Sequence, residues 1–257
     1  MAATFSSIQL WTTIAALVIA PLVFGSVDQF WVAVWTILLS ISALCGVGVR
    51  MQIGQIRIFY TFVSVCGIYG IVSIIQVVPL GLDQLNDPSW HRADELLGLG
   101  VPPRISSRAE IPPLAVGHFL LFVTSFLSGF SVGTSRANSD RLIGFARYSI
   151  LLYAIYGVTA LIVTPNMVLW AEKLAYRGSL TATFINHNTA ATFIGTGTIL
   201  WFCFAFSSLQ SFRFSSIRLL LLTLSNEKIA FKVVARSAGA LACFFALLLT
   251  GSRGGLI

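Results

Sequence analysis

The chain has 257 residues, of which 56% are hydrophobic and 10% are charged, and its formal net charge is +7. Soluble proteins carry charges on about a quarter of their residues, so this composition excludes a water-soluble globular protein. Apolar blocks of roughly 17 to 21 residues alternate with short polar breaks, and a helix of that length crosses about 30 Å of hydrocarbon. The blocks do not alternate apolar with polar residues as an outer-membrane barrel would. We therefore predict an all-α, polytopic transmembrane helical bundle.

Seven spans are predicted, in chain order 8–24, 30–49, 58–78, 114–132, 148–163, 189–207 and 233–250. The first follows no Lys or Arg and has no small-residue cleavage site, so we interpret it as a retained helix rather than a signal peptide. The glycine pairs Gly67/Gly70 and Gly195/Gly197 permit close helix approach. We predict a single transmembrane domain over residues 1–257, with an external loop at 79–113 and a basic inner-surface loop at 209–232.

The charges of the connecting loops predict the orientation. One alternating set of loops carries ten Lys and Arg residues against two acids, and the other set carries six against seven. The positive-inside rule places the first set in the cytoplasm, together with the amino terminus. This asymmetry accounts for the sequence pI of about 9.6, so we expect no nucleic-acid partner. The four cysteines lie inside predicted spans without metal-ligand spacing, so we expect no metal site.

Two connecting segments have features of their own. In the proline-rich external loop, residues 87–97 predict a short helix with Asp87 or Ser89 as its cap, because Pro88 suits the first helical position. A structural spacer is favoured there over substrate contact. The inner loop mixes cations with aliphatic and aromatic residues, so it is expected to lie along the membrane surface against anionic head groups. A further half-span is the alternative.

Two polar stretches break the pattern of generic spans. The first contains Asn186, His187 and Asn188 and opens the sixth span, where Asn186 or Asn188 could cap the helix and helix-start amides attract anions. The second, Thr-Gly-Ser-Arg-Gly-Gly at 250–255, follows the seventh span. Arg253 at that depth either snorkels or holds an anion, and the flanking glycines let a phosphate approach the backbone. A plain helix-ending turn is the equal alternative.

Taken together, the two stretches resemble the bacterial family of O-antigen ligases and related O-antigen or exopolysaccharide polymerases. Residues 183–188 match the pattern Thr-Phe-x-Asn-x-Asn, and residues 249–255 match Leu-Thr-x-Ser-Arg-Gly-Gly. The likeness covers roughly residues 178–255. His187 stands where many relatives carry Arg, which leaves open whether that position needs a cation or a hydrogen-bond donor.

The resemblance implies a membrane glycosyltransferase or ligase of the bacterial inner membrane. Such an enzyme transfers a glycan from undecaprenyl pyrophosphate to a lipid or glycan acceptor on the periplasmic face, with no nucleotide sugar and no cofactor. The resemblance implies that Arg253, Asn186, His187 and Asn188 bind the pyrophosphate, where positive charge stabilises the leaving group. The family places its catalytic acid or base in a later external loop, so we expect a carboxyl-truncated, inactive portion with unknown catalytic residues.

A transporter or flippase of lipid-linked oligosaccharide is the alternative function. Such proteins need ionisable side chains or broken helices near the middle of the membrane. The seven predicted spans carry no Asp, Glu, Lys or Arg at their centres, which favours the glycosyltransferase.

Overall fold

The computed structural model describes residues 2–49, 51–79, 81, 84–98, 100–107, 111–210 and 227–255. Contacts divide the chain into two compact units. The first unit comprises Met1–Gln9 and Asp28–Ser135, and the second comprises Leu10–Val27 and Arg136–Ile257. The basic inner-surface loop was predicted at 209–232, with a half-span as the alternative. Residues 211–226 of it lie outside the described part of the chain, and residues 209–210 and 227–232 are helical.

The described residues are predominantly α-helical, as the composition predicts. The helices are α1 Ala2–Ile19, α2 Gln29–Cys45, α3 Ile53–Val77, α4 Pro88–Leu97, α5 Ile111–Gly133, α6 Arg136–Val163, α7 His187–Gln210 and α8 Glu227–Leu249. Short 3-10 turns cover Ala20–Leu22, Phe24–Ser26 and Arg253–Gly255, and β1 Met167–Val168 pairs with β2 Ala171–Glu172 in an antiparallel hairpin. Six of the described helices are long and apolar enough to cross a membrane, whereas α2 has 17 residues. These helices indicate a multi-pass membrane protein.

Several helix boundaries differ from the predicted spans, and two of them show the physical reason. The helix α1 ends at Ile19, because Pro21 opens a 3-10 turn and Gly25 then takes a φ of +69°, which favours glycine. The helix α6 begins at Arg136 rather than near 148. Hydropathy identifies the part of a helix that suits lipid. The backbone hydrogen bonds of α6 also include residues 136–147, six of which are polar or charged, before that part begins.

The first unit is joined by polar side chains and stacked rings. The Ser128 hydroxyl donates to the carbonyl oxygen of Leu39 at 2.8 Å, which connects α5 to α2. The rings of Phe62 and Phe126 stack with centroids 3.6 Å apart, which connects α3 to α5. None of the described residues of α3 is buried. Because exposing this largely apolar helix of 25 residues to water would be unfavourable, the surface of α3 suits lipid.

The short helix predicted at residues 87–97 is confirmed as α4. The Asp87 carboxylate caps it by accepting a hydrogen bond from the amide of Ser89 at 2.9 Å, and Pro88 occupies the first turn. Hydrogen bonding by the side chain of Ser89, and then by its amide, lowers the pKa of Asp87. The helix ends at Gly98 with a φ of +59°, and the Trp90 indole donates to the carbonyl of Ser106 at 2.8 Å. The loop is therefore folded against itself.

The second unit packs α6, α7 and α8 through small residues. Its core contains Ala190, Ala191, Ala240 and Ala246, each at most 1% exposed. A Cβ added to Gly197 of α7 would lie 2.9 Å from Ile150 Cβ of α6, so the close approach predicted there is confirmed. Gly67 and Gly70 have no heavy atom within 4 Å of such a Cβ. Close packing of this kind depends on small side chains, since lipid supplies no hydrophobic drive between helices.

Candidate functional site

The start of α7 is set by an asparagine cap. The side-chain oxygen of Asn186 accepts a hydrogen bond from the amide of Asn188 at 2.8 Å, and the Asn186 carbonyl accepts from the amide of Ala190 at 3.1 Å. This is the N-cap geometry that a short polar side chain favours. Of the two caps left open by the sequence, Asn186 is the one that forms.

His187 joins the start of α7 to the end of α8. Its Nδ1 lies 2.9 Å from the carbonyl oxygen of Thr250. A carbonyl oxygen can only accept, so Nδ1 carries the proton and donates. The imidazole also stacks on the ring of Tyr176, with centroids 4.1 Å apart and planes 21° apart. These two contacts hold the ring in one orientation, so His187 acts here as a hydrogen-bond donor between helices.

A second bond links the same two segments. The Ser252 hydroxyl donates to the side-chain oxygen of Asn188 at 2.7 Å, and Ser252 is only 2% exposed. The fully buried Thr250 hydroxyl donates back to the carbonyl of Leu247 at 2.7 Å, and the amide of Ser252 donates to the Thr250 hydroxyl at 3.2 Å. We call residues 186–188 and 250–253 together the α7–α8 junction. The hydrogen bonds among residues 186–188, 250 and 252 fix the two segments to each other.

The segment between α6 and α7 is anchored to this junction. The amide of Leu180 donates to the carbonyl of Leu249 at 3.0 Å, and Leu180 is fully buried. Lys173 follows the hairpin, is 5% exposed, and donates from Nζ to the carbonyl of Ser179 at 2.9 Å. Burial lowers the pKa of Lys173, since desolvation disfavours the charged amine. The nearby Glu172 pairs with Arg177 at 2.9 Å.

Arg253 is exposed and begins the 3-10 turn Arg253–Gly255. Its guanidinium makes no hydrogen bond or ion pair with the residues that the structure describes. It follows Ser252, whose hydroxyl bonds Asn188, so the cation extends directly from the junction. The positive φ of Gly251, +62°, turns the chain between the end of α8 and this point. A guanidinium so placed is available to an anion in solvent or at a membrane surface.

The structure therefore brings the four predicted site residues to one place. Asn186 caps α7, His187 and Asn188 bond the segment after α8, and Arg253 extends from that segment. The nearby Thr192 hydroxyl donates at 3.1 Å to the Asn188 carbonyl within its own helix. Sequence analysis did not single out Tyr176, Lys173 or Ser252. Ser252 lies inside the matched motif, but no local pattern indicates the burial of Lys173.

A cavity of about 490 Å³ lies in the first unit and is lined by none of these residues. Its lining is almost entirely apolar and comes from α2, α3, α5 and the α2–α3 connection, with Phe59, Leu127 and Phe130 among its walls. Such a lining has no charged group to hold a phosphate, so the junction remains the candidate site. Among the described residues, no cluster of His, Cys, Asp and Glu could hold a metal ion.

Comparison with known proteins adds no relative: no family model, no curated protein and no solved structure matches this chain.

Proposed function

We propose that this chain is part of a membrane glycosyltransferase of the O-antigen ligase type. It would transfer a glycan from undecaprenyl pyrophosphate to a lipid or glycan acceptor at the periplasmic face of the bacterial inner membrane. The observation that supports this is the α7–α8 junction. The two stretches that carry the family resemblance are separated by 63 residues between His187 and Thr250, yet they are joined by two hydrogen bonds.

The chemistry of the junction suits a diphosphate. The Arg253 guanidinium offers a planar pair of donors that matches two phosphate oxygens, whereas amide side chains such as Asn188 supply neutral donors. When the bond between the sugar carbon and the pyrophosphate oxygen breaks, negative charge develops on the leaving group, and fixed donors stabilise it. The buried Lys173 ammonium adds positive potential close to the same segment. The acceptor hydroxyl would attack the same sugar carbon and form the new glycosidic bond. It would lose its proton to a base or to solvent, and undecaprenyl pyrophosphate would leave.

Binding of the lipid carrier tests this proposal without requiring turnover. The detergent-purified chain would be titrated with undecaprenyl pyrophosphate, with undecaprenol as the arm that lacks phosphate, and complexes would be counted by native mass spectrometry. We expect Arg253→Lys to weaken binding of the pyrophosphate about tenfold or more, because loss of one charged hydrogen bond amounts to about 1.5–3 kcal/mol. Arg92→Gln removes an exposed cation of α4 and is the matched control.

Three results would contradict the proposal. They are equal binding of undecaprenol and undecaprenyl pyrophosphate, an Arg253→Lys variant that binds as tightly as the native chain, and an Arg92→Gln variant that binds as weakly as Arg253→Lys. The last would mean that net charge rather than the junction attracts the lipid.

The proposal includes an orientation with seven spans and a cytoplasmic amino terminus. In that orientation the loops near Arg141 and Lys228 are cytoplasmic, and those near Asp94 and Lys173 are periplasmic. An alkaline phosphatase fused after Arg141 should be inactive, and one fused after Lys173 should be active. The opposite pattern of enzyme activity would reverse the topology and remove the junction from the periplasm.

A further inference from the structure

A second group of cations lies elsewhere in the second unit, at the other end of α6, α7 and α8. The Arg147 guanidinium carbon lies 3.4 Å from the ring centroid of Phe204, and that of Arg236 lies 3.7 Å from the same centroid. A guanidinium can come this close only over the face of a ring, and two cannot share one face. Arg147 and Arg236 therefore stack on opposite faces of Phe204. We call these three residues the arginine stack.

Contacts from α6, α7 and α8 hold the arginine stack in place. The Trp201 indole donates to the carbonyl of Arg147 at 3.0 Å, which connects α7 to α6. A Cβ on Gly239 would lie 2.7 Å from Trp201, so this indole also packs on the backbone of α8, one turn after Arg236. The guanidinium carbon of Arg147 is 5.1 Å from the ring centroids of both Trp201 and Tyr148. The two cations are thus positioned before any ligand arrives, which lowers the entropic cost of binding.

The charge of Arg147 is incompletely compensated by the described residues. Arg236 is the charged neighbour of Arg147, and the two have the same sign. The Nε of Arg147 is buried and has no hydrogen-bond partner among the described residues. Arg147 also makes no ion pair within the described part of the chain. Cation–π contacts and the negative end of α7 offset part of this charge, but neither supplies an acceptor for the buried N–H.

The positions of Arg147 and Arg236 along their helices indicate what kind of ligand the arginine stack binds. Arg147 lies where the basic first turns of α6 give way to its apolar stretch, and Arg236 occupies the same position on α8. A cation at the boundary of an apolar span lies at the depth of lipid phosphates. We propose that the arginine stack binds the phosphate of an anionic lipid head group, with its acyl chains along α6 and α8. Basic pockets between spans bind anionic lipids in this way.

This site is distinct from the α7–α8 junction and does not rest on the proposed function. The ligand chemistry is a phosphodiester of net charge −1 anchored by acyl chains. A zwitterionic lipid carries the same phosphate, but its own cation competes with the two guanidinium groups. A small soluble phosphate lacks the chains, so the anchoring contacts with the span surface would be missing.

Lipid binding by native mass spectrometry tests the site. Dioleoyl phosphatidylglycerol is compared with dioleoyl phosphatidylcholine, and glycerol 3-phosphate is added as a soluble competitor. We expect the native chain to bind the anionic lipid about tenfold more tightly than the zwitterionic one. Arg147→Gln and Arg236→Gln should each lose most of that preference. Arg141→Gln removes an exposed cation from the same basic stretch and should keep the preference within about threefold.

Several results would overturn the proposal of a lipid site at the arginine stack. Equal loss of preference in Arg141→Gln and Arg147→Gln would mean a diffuse charge effect. Equal affinity for the two lipids would remove the site, and displacement by an equal concentration of glycerol 3-phosphate would make it a site for free anions. Melting without lipid checks that each variant is folded. If Arg147→Gln does not fold, Arg147→Lys replaces it, and full preference in that variant would overturn the role of the guanidinium.

Discussion

The two ends of α7 and α8 accommodate arginine in different ways. At the junction, amides, a hydroxyl and an imidazole bond one another, and Arg253 is left exposed beside them. At the other end, Arg147 and Arg236 are half-buried and stack on Phe204. An exposed guanidinium contributes little to folding, whereas a half-buried one is part of the packing. We therefore expect removal of Arg253 to weaken ligand binding with little effect on stability. Removal of Arg147 or Arg236 should affect both ligand binding and stability.

The packing between the two ends should have the largest effect on stability. Gly197→Ala would place a methyl group against the buried Ile150, so we expect a loss of about 1–3 kcal/mol in unfolding free energy. Gly195→Ala is the matched control, because its Cβ would meet Leu247 at an ordinary 3.9 Å. Thermal melting in detergent compares the two variants. Equal melting temperatures would show that α6 and α7 do not approach closely at Gly197.

Substitutions at His187 test how the junction is held. His187→Ala leaves the Thr250 carbonyl without its donor and removes the ring that stacks on Tyr176, so we expect a loss of about 1–2 kcal/mol. His187→Gln keeps a donor and should lose less. His187→Arg keeps a donor and adds charge. Equal melting of all three variants would mean that this residue only fills space, and a clear advantage of Arg would indicate that the position needs a cation.

The pH dependence of stability should report the buried Lys173. Its pKa is lowered in the folded chain, so the unfolded chain binds more protons between that lowered value and the ordinary value of 10.5. Stability contributed by this group therefore rises as the pH increases through that window. Lys173→Met should remove this rise, measured as melting temperature against pH. Lys232→Met, which removes an exposed lysine of α8, is the control and should preserve the rise. An unchanged slope in Lys173→Met would contradict the burial.

Arg253 should show the smallest effect on stability. The side chain is exposed, so Arg253→Gln should change the unfolding free energy by no more than about 0.5 kcal/mol. The same variant should bind undecaprenyl pyrophosphate weakly, which would separate ligand binding from folding. A large loss of stability on removing Arg253 would mean instead that the cation holds the turn together, and the comparison between the two ends would then fail.

Much of the fold was predictable because it depends on contiguous segments. The apolar blocks correspond to helices, Pro88 and Asp87 mark the start of α4, and Asn186 caps α7. The ends of the helices were less predictable, because hydropathy does not detect a helical segment whose residues are polar. The first turns of α6 are such a segment. The four site residues were predicted through a resemblance, and a shared anion site requires them to lie close together. Their shared role in binding stays a prediction.

The sequence by itself determined the helical class, the apolar segments of spanning length and the polar stretches at two of their ends. Each of these depends on local composition, on hydrogen bonds within a few residues, or on length against the thickness of a membrane. Tertiary structure decided that His187 meets Thr250, that Lys173 is buried and that Arg147 and Arg236 share one ring. Those contacts join residues far apart in the chain, and they depend on how closely the helices approach at positions such as Gly197 and Gly239. Interhelical distance is a property of packed side chains and not of any one segment.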